Sequence, residues 1–484
     1  IYHPDKITPH AITLDSIGIL FELAMGLSAW KVHGQSRWAL RCNPSSGNLH
    51  PTESYLVFSG INNLAAGVYH YNSYQHNLEQ RCIIQPHQIP KHLPEDSFLI
   101  GLSSIHWREA WKYGERAFRY CQHDVGHAMA SFRYAAATLG WHVHLLEQSS
   151  DDQISSLLGL NRAQDFINAE HETADVLLQI TTAAEKIDIP HIEPLCNLMR
   201  HSDWQGSANC LSPNNQAQWP VIDEISRTCH KPVTEPEMSD TNISSPISDS
   251  HCDLKATTII QQRRSAQAFD AISTLPLNKF YRILDSLLVR LNTPPFDILP
   301  WPPRIHLLLF IHRVEQLEPG LYALARSSPG EHLMRHDMRN EFTWEKALHC
   351  PEHIPLYQLV SSDCREAAQI LSCHQDIASD GSFSLAMLAE FETPIEEKPW
   401  CYRQLFWESG IIGQALYLEA EAEGISGTGI GCFFDDAVHN TLGIETSKLQ
   451  SLYHFTLGKA VVDNRLLTEP PYAHLIDRTA ESQD

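Results

Sequence analysis

The sequence predicts an α+β protein made of two similar domains in tandem, each a mixed β-sheet flanked by helices, packed together as a pseudo-dimer. Two observations support this prediction. The chain has 484 residues, which is too many for one hydrophobic core, and segments with matching glycine spacing occur in both halves. The expected organisation is a first domain at residues 1–195, a linker or surface wrap at 196–253, and a second domain at 254–484.

The matching segments are two predicted helices and the glycines around them. Between Asp124 and Gly140 apolar residues recur at helical spacing, as they do between Ser409 and Glu423, so each segment predicts a helix with one broad buried face. The glycines that accompany them have the same separations in the two halves: Gly126, Gly140 and Gly159 in the first, and Gly410, Gly424 and Gly443 in the second. This register indicates an internal duplication, and duplicated domains can pack around a pseudo-two-fold axis as a homodimer does.

The region expected to be a linker extends from about Cys196 to Cys252. It is rich in Ser, Asn, Pro, Asp and Thr, and neither helical nor strand periodicity runs through it. Such a composition is typical of a long linker or an extended surface segment.

Composition limits the partners. The chain carries 35 Lys and Arg against 58 Asp and Glu, a formal net charge of -23, which argues against nucleic acid or an anionic membrane surface. Apolar runs fall far short of the roughly 20 residues needed to span a bilayer. The 12 cysteines form no CxxC pair, so we expect free thiols in a reducing cytoplasm.

Arg263, Arg264 and Ser265 precede a helix expected from about Leu277 to Leu291. Two guanidinium groups beside a hydroxyl make a good phosphate receptor, because Arg offers a fork of charged donors and Ser adds a neutral one. The alternative is a solvated basic turn, and for an isolated tripeptide that alternative is favoured.

Two further segments suit a planar, phosphate-bearing ligand. Pro44-Ser45-Ser46-Gly47-Asn48 offers small side chains, hydroxyls and an amide, although taken alone it is only a turn. Gly427-Thr428-Gly429-Ile430-Gly431 permits backbone N–H groups to point at a ligand. The glycine run lacks the GxGxxG spacing, so a Rossmann domain is not predicted.

Taken in order, these motifs resemble those of the nitroreductase superfamily. The segment 263–269 looks like its amino-terminal FMN signature, and the segment 44–51 looks like its second flavin loop. Lys112-Tyr113-Gly114-Glu115-Arg116, followed by Arg119-Tyr120 and the Gly126 helix, is similar to the SagB-type dehydrogenase branch. The resemblance covers both domains but not the linker.

The resemblance implies an FMN held by the Arg-Ser segment of one subunit and the Pro-Ser-Ser loop of the other. Here the Arg-Ser segment occurs only in the second half of the chain and the Pro-Ser-Ser loop only in the first half. The second-half counterpart of that loop, Thr293-Pro294-Pro295-Phe296-Asp297, lacks the hydroxyl pair. We therefore expect one FMN site at the interdomain interface and one degenerate site. The implied cofactor residues are Pro44, Ser45, Ser46, Gly47, Asn48, Arg263, Arg264, Ser265, Gln267, Gly429, Gly431, Cys432 and Arg465.

Within that set, Arg263, Ser265 and Arg465 are expected to hold the phosphate, with Gly431 and Cys432 near the reactive edge of the ring. Gln267 departs from the family, which usually has a cation there to stabilise the reduced ring. Cys432 stands where many relatives have a smaller residue.

Lys112 and Tyr113 are the catalytic candidates, because the SagB-type branch is thought to use a Lys-Tyr pair when it oxidises azoline rings to azoles. A Lys can assist proton removal and a Tyr can orient or relay a proton. The alternative, a surface Lys beside a core Tyr, has equal weight.

The resemblance favours an FMN-dependent oxidoreductase acting on a small molecule or a modified peptide, with the chain forming an intramolecular pseudo-dimer, a state compatible with a monomer. One alternative is an NAD(P)H-dependent nitro or quinone reductase. Another is a flavin-binding or flavin-free pseudoenzyme that serves as a partner protein. No metal site is expected, since no carboxylate or thiolate completes a set with His123, His127, His142 and His144.

Overall fold

The computed structural model describes residues 1–61, 63–85, 96–183, 192–212, 218–236 and 252–475. The chain divides into two compact units, and neither is continuous in sequence. Unit 1 is Ile1–Met238, Asn292–Pro300 and Asn464–Asp484, and unit 2 is Ser239–Leu291 and Trp301–Asp463. Two stretches of the expected second domain therefore belong to unit 1.

In its described residues unit 1 contains a six-stranded antiparallel sheet, a three-stranded antiparallel sheet and six α-helices. The helices are α1 (Leu14–Met25), α2 (Trp107–Tyr113), α3 (Ala117–Thr138), α4 (Asp151–Leu158), α5 (Glu193–Arg200) and α6 (Pro220–Thr228). The strands are β1 (Leu27–His33), β2 (Ser36–Arg41), β3 (Thr52–Phe58), β4 (Gly67–Asn72), β5 (Asn77–Ile83), β6 (Ser97–Ser104), β7 (His142–Leu145) and β8 (Thr173–Thr181), with a C-terminal strand at Leu467–Glu469.

The large sheet of unit 1 has the strand order β5-β4-β3-β6-β8-β7. The small sheet has the C-terminal strand and β2 on either side of β1, with Trp30 opposite Glu469 in the register. The end of the chain is fixed further by side chains, because Trp30 donates a hydrogen bond to the carbonyl of Pro471 at 2.9 Å. This pairing removes an exposed edge from β1.

Unit 2 contains one seven-stranded antiparallel sheet and eight α-helices in its described residues. The helices are α7 (Ala256–Gln262), α8 (Leu277–Asp285), α9 (Ser328–Asp337), α10 (Arg365–Leu371), α11 (Ile377–Asp380), α12 (Glu392–Glu397), α13 (Cys401–Ala422) and α14 (Asp435–Leu442). The strands are β9 (Ile305–Ile311), β10 (Gly320–Leu324), β11 (Glu345–Lys346), β12 (Leu356–Ser361), β13 (Phe383–Glu390), β14 (Ser426–Ile430) and β15 (Leu449–Gly458), in the order β11-β12-β10-β9-β13-β15-β14.

The two units repeat one topology. The order β5-β4-β3-β6-β8-β7 corresponds strand for strand to β12-β10-β9-β13-β15-β14. Helices α3 and α13 each have 22 residues, and the helices α4 and α14 each have eight. Gly159 and Gly443 end the shorter pair in the left-handed conformation, which glycine adopts without a steric cost. The predicted α+β class, with two similar domains in tandem, is confirmed.

The repeat helices begin earlier than the apolar spacing predicted, at Ala117 and Cys401 rather than near Asp124 and Ser409. Both helices are buried over most of their surface, including polar residues of their first turns. The spacing of apolar residues therefore does not mark where the helices begin. Helix α8 ends at Asp285, before the expected Leu291.

The expected linker contains regular structure. Helix α5 buries Leu195, Cys196 and Met199 in the core of unit 1, and α6 buries Ile222. Both helices have fewer than ten residues, too few for a periodic pattern to emerge from the sequence. Residues 213–217 and 237–251 of the expected linker lie outside the described residues.

No helix among the described residues is both long and apolar enough to cross a membrane.

Candidate functional site

The Pro-Ser-Ser turn of unit 1 is a rigid structure held by its own side chains. Ser46–Asn48 forms a single 3-10 turn, with Gly47 at φ 58° and Asn48 at φ 60°. The backbone N–H of His50 donates to Ser45 Oγ at 2.8 Å, and the Asn48 amide donates to the carbonyl of Ala39 at 2.9 Å. These bonds explain why Ser and Asn stand here, because each fixes a backbone group that the turn leaves unpaired.

Helix α2 brings Lys112 and Tyr113 against this turn. A Cβ added at Gly47 would overlap the Tyr113 hydroxyl and lie 2.9 Å from Lys112 Nζ. The Lys112 ammonium lies 5.0 Å from the centroid of the Tyr113 ring, and the Tyr113 ring packs edge-to-face on Tyr120 at 4.9 Å. Two motifs that are far apart in the sequence therefore meet at one point of unit 1.

The exposure of Lys112 and Tyr113 does not match the alternative of a surface Lys beside a core Tyr. Lys112 is exposed, whereas Tyr113 is only half-buried and directs its hydroxyl at Gly47. A core Tyr would be enclosed by apolar side chains. Here the hydroxyl and the ammonium lie beside a turn rather than in a core.

Two acidic side chains are buried on helices α2 and α3. Asp124 on α3 is buried, and its Oδ1 accepts hydrogen bonds from Ser46 N–H at 3.1 Å and from Ser46 Oγ at 3.4 Å. Glu109 on α2 is fully buried. The sequence did not predict the burial of Glu109 or the contact between Asp124 and Ser46. The one available signal was that Glu109 and Lys112 are three residues apart, which places them on one side of a helix.

The Arg-Ser segment of unit 2 is organised around Tyr417, a residue on α13. The buried Arg263 guanidinium lies 4.9 Å from the centroid of the Tyr417 ring. The Tyr417 hydroxyl accepts a hydrogen bond from Gly429 N–H at 3.0 Å and lies 2.8 Å from Ser265 Oγ. Since the tyrosine hydroxyl has one proton, it can donate to Ser265 Oγ and leave the Ser265 proton directed to an outside acceptor.

Most of the glycine run lies in the edge strand β14. Its partner on one side is β15, and on the other side Ser265 bridges to Gly427. Thr428 Oγ1 donates to the carbonyl of Ala266 at 2.6 Å. A Cβ at Gly429 would overlap the Tyr453 hydroxyl, so a larger residue there would require the Tyr453 side chain to move. The structure thus brings Arg263, Ser265 and Gly429 together.

The other predicted residues are less closely associated. Arg264 donates to the carbonyl of Gln261 at 2.8 Å, and Gln267 is exposed. Arg465 is exposed and belongs to unit 1, ahead of the C-terminal strand. Gly431 follows β14 and leads to Cys432.

The expectation of free thiols is wrong at one pair, because Cys432 forms a disulfide with Cys373. The carbonyl of Cys432 also accepts a hydrogen bond from the Gln375 amide at 3.2 Å. The segment after β14 is thereby tied to the segment after α10. The two cysteines are 59 residues apart, and their spacing carried no signal.

The degenerate counterpart of the Pro-Ser-Ser turn contains an ion pair within unit 1. Asp297 accepts two hydrogen bonds from the Arg133 guanidinium, at 2.9 and 2.7 Å. The side chain of Arg133 is 1% exposed and that of Asp297 is 11% exposed. By the glycine register Arg133 is the counterpart of Tyr417, so where unit 2 has a hydroxyl that orders donors, unit 1 has a cation already neutralised.

No cluster of three or more His, Cys, Asp or Glu side chains arranged for a metal ion occurs among the described residues.

Comparison with known families covers part of the chain. Residues 260–459 match the Nitroreductase family. The match includes the Arg-Ser segment, α13 and the glycine strand, which are the elements that meet at Tyr417.

Two further comparisons extend this likeness. The chain is 31% identical over 153 residues to the trifolitoxin-processing protein TfxB of Rhizobium leguminosarum bv. trifolii, a match that spans 28% of this chain and 40% of TfxB. The chain is also similar to the crystal structure of a putative nitroreductase from Anabaena variabilis. That match spans 92% of this chain and 88% of the Anabaena chain, with 21% identity and a TM-score of 0.66. That likeness shows that both units share the nitroreductase fold.

Proposed function

We propose that this chain is an FMN-dependent oxidoreductase of the nitroreductase family that oxidises a small molecule or a heterocycle in a modified peptide. One observation carries the proposal: the turn that resembles a flavin loop meets the Lys112–Tyr113 pair at Gly47, where an added Cβ would force the Tyr113 hydroxyl and Lys112 Nζ to move. An alanine or larger residue would separate the two motifs.

The donor set suits FMN. Arg263 supplies a cation for the phosphate and Ser265 a neutral donor. When bound, FMN would accept a hydride from the substrate and return the electrons to oxygen or another acceptor. Solved nitroreductase-family proteins with FMN, such as one from Exiguobacterium sibiricum, make the same cofactor the natural candidate.

Lys112 and Tyr113 would manage the proton. Oxidation of an azoline to an azole removes two hydrogens, one as hydride and one as a proton, so a base must lie beside the ring. In this proposal the neutral amine form of Lys112 takes the proton, and the Tyr113 hydroxyl, beside Gly47, orients the substrate or relays that proton. A neutral Gln267 in place of the family's usual cation would stabilise negative charge on a reduced ring less well.

We propose further that both segments serve one FMN per chain. Support comes from the residues that correspond to these segments in the other half of the repeat. There Asp297 and Arg133 neutralise each other, and the hydroxyl pair is missing. A cation already paired with a buried carboxylate is a poor phosphate receptor.

The choice of a peptide substrate follows the SagB-type resemblance and the likeness to TfxB, whose name describes processing of trifolitoxin. The test is to load the purified chain with FMN and supply an azoline-containing peptide, then follow the loss of two hydrogens by mass spectrometry. Lys112→Ala should abolish turnover while retaining FMN, and Lys6→Ala, an exposed lysine in the first 3-10 turn of unit 1, is the matched control.

Two alternatives give different results in the same experiment. Rapid NAD(P)H consumption with a quinone and no azole product would replace the dehydrogenase with a reductase. A chain that binds no FMN, or that binds FMN but reacts with neither donor, would be a partner protein without activity of its own.

A further inference from the structure

The disulfide between Cys373 and Cys432, called the bridge below, is not explained by the proposed chemistry. Its Cα atoms are 5.9 Å apart, an ordinary separation for a disulfide. One cysteine follows α10 and the other follows β14, and both segments belong to unit 2. Cys432 is exposed and Cys373 is half-buried, so a thiol can reach the bridge in the folded chain. Exposed disulfides are the ones that exchange readily.

The backbone on one side of the bridge is strained. Cys373 and the next residue, His374, have φ values of 56° and 58°, a region that non-glycine residues rarely adopt. Such conformations persist only where surrounding contacts hold them. Besides the bridge, the Gln375 amide donates to the carbonyl of Ser372 at 2.8 Å and to that of Cys432 at 3.2 Å. Breaking the bridge lets two residues relax, which favours the reduced form.

The other cysteines of the chain do not form disulfides. Ten are free, among them Cys210, which is exposed, and Cys350 and Cys364, which are half-buried. Accessible free thiols are typical of proteins in a reducing compartment, where a disulfide is usually catalytic or redox-sensing rather than permanent. The single bridge, formed while other accessible thiols stay free, therefore suits a site that is oxidised and reduced.

We propose that Cys373 and Cys432 form a redox-active site that accepts two electrons from a dithiol by thiol–disulfide exchange. A thiolate of the reductant attacks the sulfur of Cys432, the more exposed residue, and the bond between the two cysteines breaks. Cys373 leaves as a thiolate and takes a proton from water. The second thiol of the reductant loses its proton, attacks the reductant sulfur of the mixed disulfide and releases Cys432. The chain then carries two thiols and the reductant one disulfide.

Reduction should loosen the segment after β14 without undocking it. Phe433, the residue after Cys432, is 1% exposed, and its ring stacks on that of His454 at 4.4 Å. This packing does not depend on the bridge. Gly431 and Cys432 are predicted to lie near the reactive edge of FMN, and a segment that is already ordered binds a ligand with a smaller loss of entropy. Reduction should therefore weaken FMN binding, a consequence that rests on the proposed function.

Alkylation of the folded chain with iodoacetamide, followed by peptide mass spectrometry, tests the exchange without FMN. In chain treated with oxidised dithiothreitol, Cys210 should be labelled while Cys373 and Cys432 are not. Reduced dithiothreitol should then make the last two react together, whereas Cys401, a fully buried thiol of unit 2, stays unlabelled until the chain is unfolded. Circular dichroism should not change, and oxidised dithiothreitol should restore the bridge.

Three results would overturn the proposal. Cys373 and Cys432 could be labelled before any reductant is added, which would mean that no bridge forms. They could be labelled only after unfolding, or reduction could unfold the chain, and either result would make the bridge a permanent staple.

Reduced glutathione tests which sulfur is attacked, because its single thiol leaves a mixed disulfide on that cysteine. After rapid acid quenching, mass spectrometry should find glutathione on Cys432. Glutathione on Cys373 would contradict the assigned direction of exchange.

Fluorescence titration with FMN tests the consequence for the proposed site. The Kd of the reduced chain should exceed that of the oxidised chain by about 3–10-fold, the cost of ordering one or two side chains. Cys373→Ser should bind as the reduced chain does, with or without dithiothreitol, and Cys350→Ser should keep the dependence. Equal Kd values in both states would contradict this consequence. A chain that passes the alkylation test and never takes FMN would remove only the proposed function.

Discussion

The Tyr113 hydroxyl lies where a side chain on Gly47 would have to be. This relationship joins the turn that resembles a flavin loop to the residues that resemble a catalytic pair. It also gives the most direct mutational test of whether their association matters.

Gly47→Ala should lower kcat/KM at least about tenfold by displacing Tyr113 and Lys112. Part of any loss will come from the backbone, since an L-residue at φ 58° is strained by about 1 kcal/mol. Gly34→Ala is the matched control, because Gly34 has the same φ and no atom within 4 Å of the added Cβ. Steady-state kinetics with equal losses in both variants would show that contact with Tyr113 is unimportant.

Tyr417→Phe should weaken FMN binding by about 3–10-fold, the value of one ordinary hydrogen bond. The phenylalanine ring still packs under Arg263, but Gly429 N–H and Ser265 Oγ lose their shared partner. The comparison is Tyr281→Phe, which removes a hydroxyl bound to the carbonyl of Leu348 elsewhere in unit 2. Fluorescence titration measures both, and an unchanged Kd in Tyr417→Phe would remove Tyr417 from the site.

Arg133→Ala should destabilise the chain by about 3 kcal/mol, because it leaves Asp297 buried without its partner. The number of FMN molecules bound should not change. Arg37→Ala breaks an ion pair whose side chains are 37% and 41% exposed, and it should cost less than about 1 kcal/mol. Urea unfolding measures the two costs, and a lower flavin content in folded Arg133→Ala would assign a cofactor role to the counterpart.

Glu109→Gln should stabilise the folded chain at pH 8. Burial and Asp124 raise the pKa of Glu109 to about 10 from an ordinary value of 4.5, so the folded state binds this proton more tightly than the unfolded state. The stabilisation that proton provides is complete below pH 4.5 and is lost as pH rises towards 10. Unfolding free energies should therefore differ by at least about 1 kcal/mol at pH 8 and converge near pH 4.

A Glu109→Gln variant that is less stable at pH 8 would mean that the carboxylate is ionised and paired. Glu115→Gln, at an exposed position, should change neither value.

The features that could be predicted from the sequence are those that depend on residues close together in the chain. Apolar spacing and the cap glycines predicted α3 and α13, since a helix face and a left-handed cap each depend on nearby residues. The Arg-Ser and Pro-Ser-Ser motifs were found for the same reason. The burial of Arg263 beside Tyr417 follows only from tertiary packing.

Features that depend on contacts between residues far apart in the chain could not be predicted from a local sequence pattern. Glu109 reads as an ordinary helix residue until α3 covers it, and the Cys373–Cys432 disulfide joins segments with no shared pattern. The C-terminal strand is three residues long, too short to be predicted, yet it joins the sheet of β1. The role of the predicted site residues in binding FMN stays a prediction.

Flavin stoichiometry tests the central claim most directly. The purified chain, saturated with FMN and freed of excess, is denatured and the released flavin is measured by absorbance against protein mass. We predict one FMN per chain, lost on changing either Arg263 in unit 2 or the Ser45–Ser46 hydroxyls in unit 1. Two FMN per chain, or none, would contradict the account.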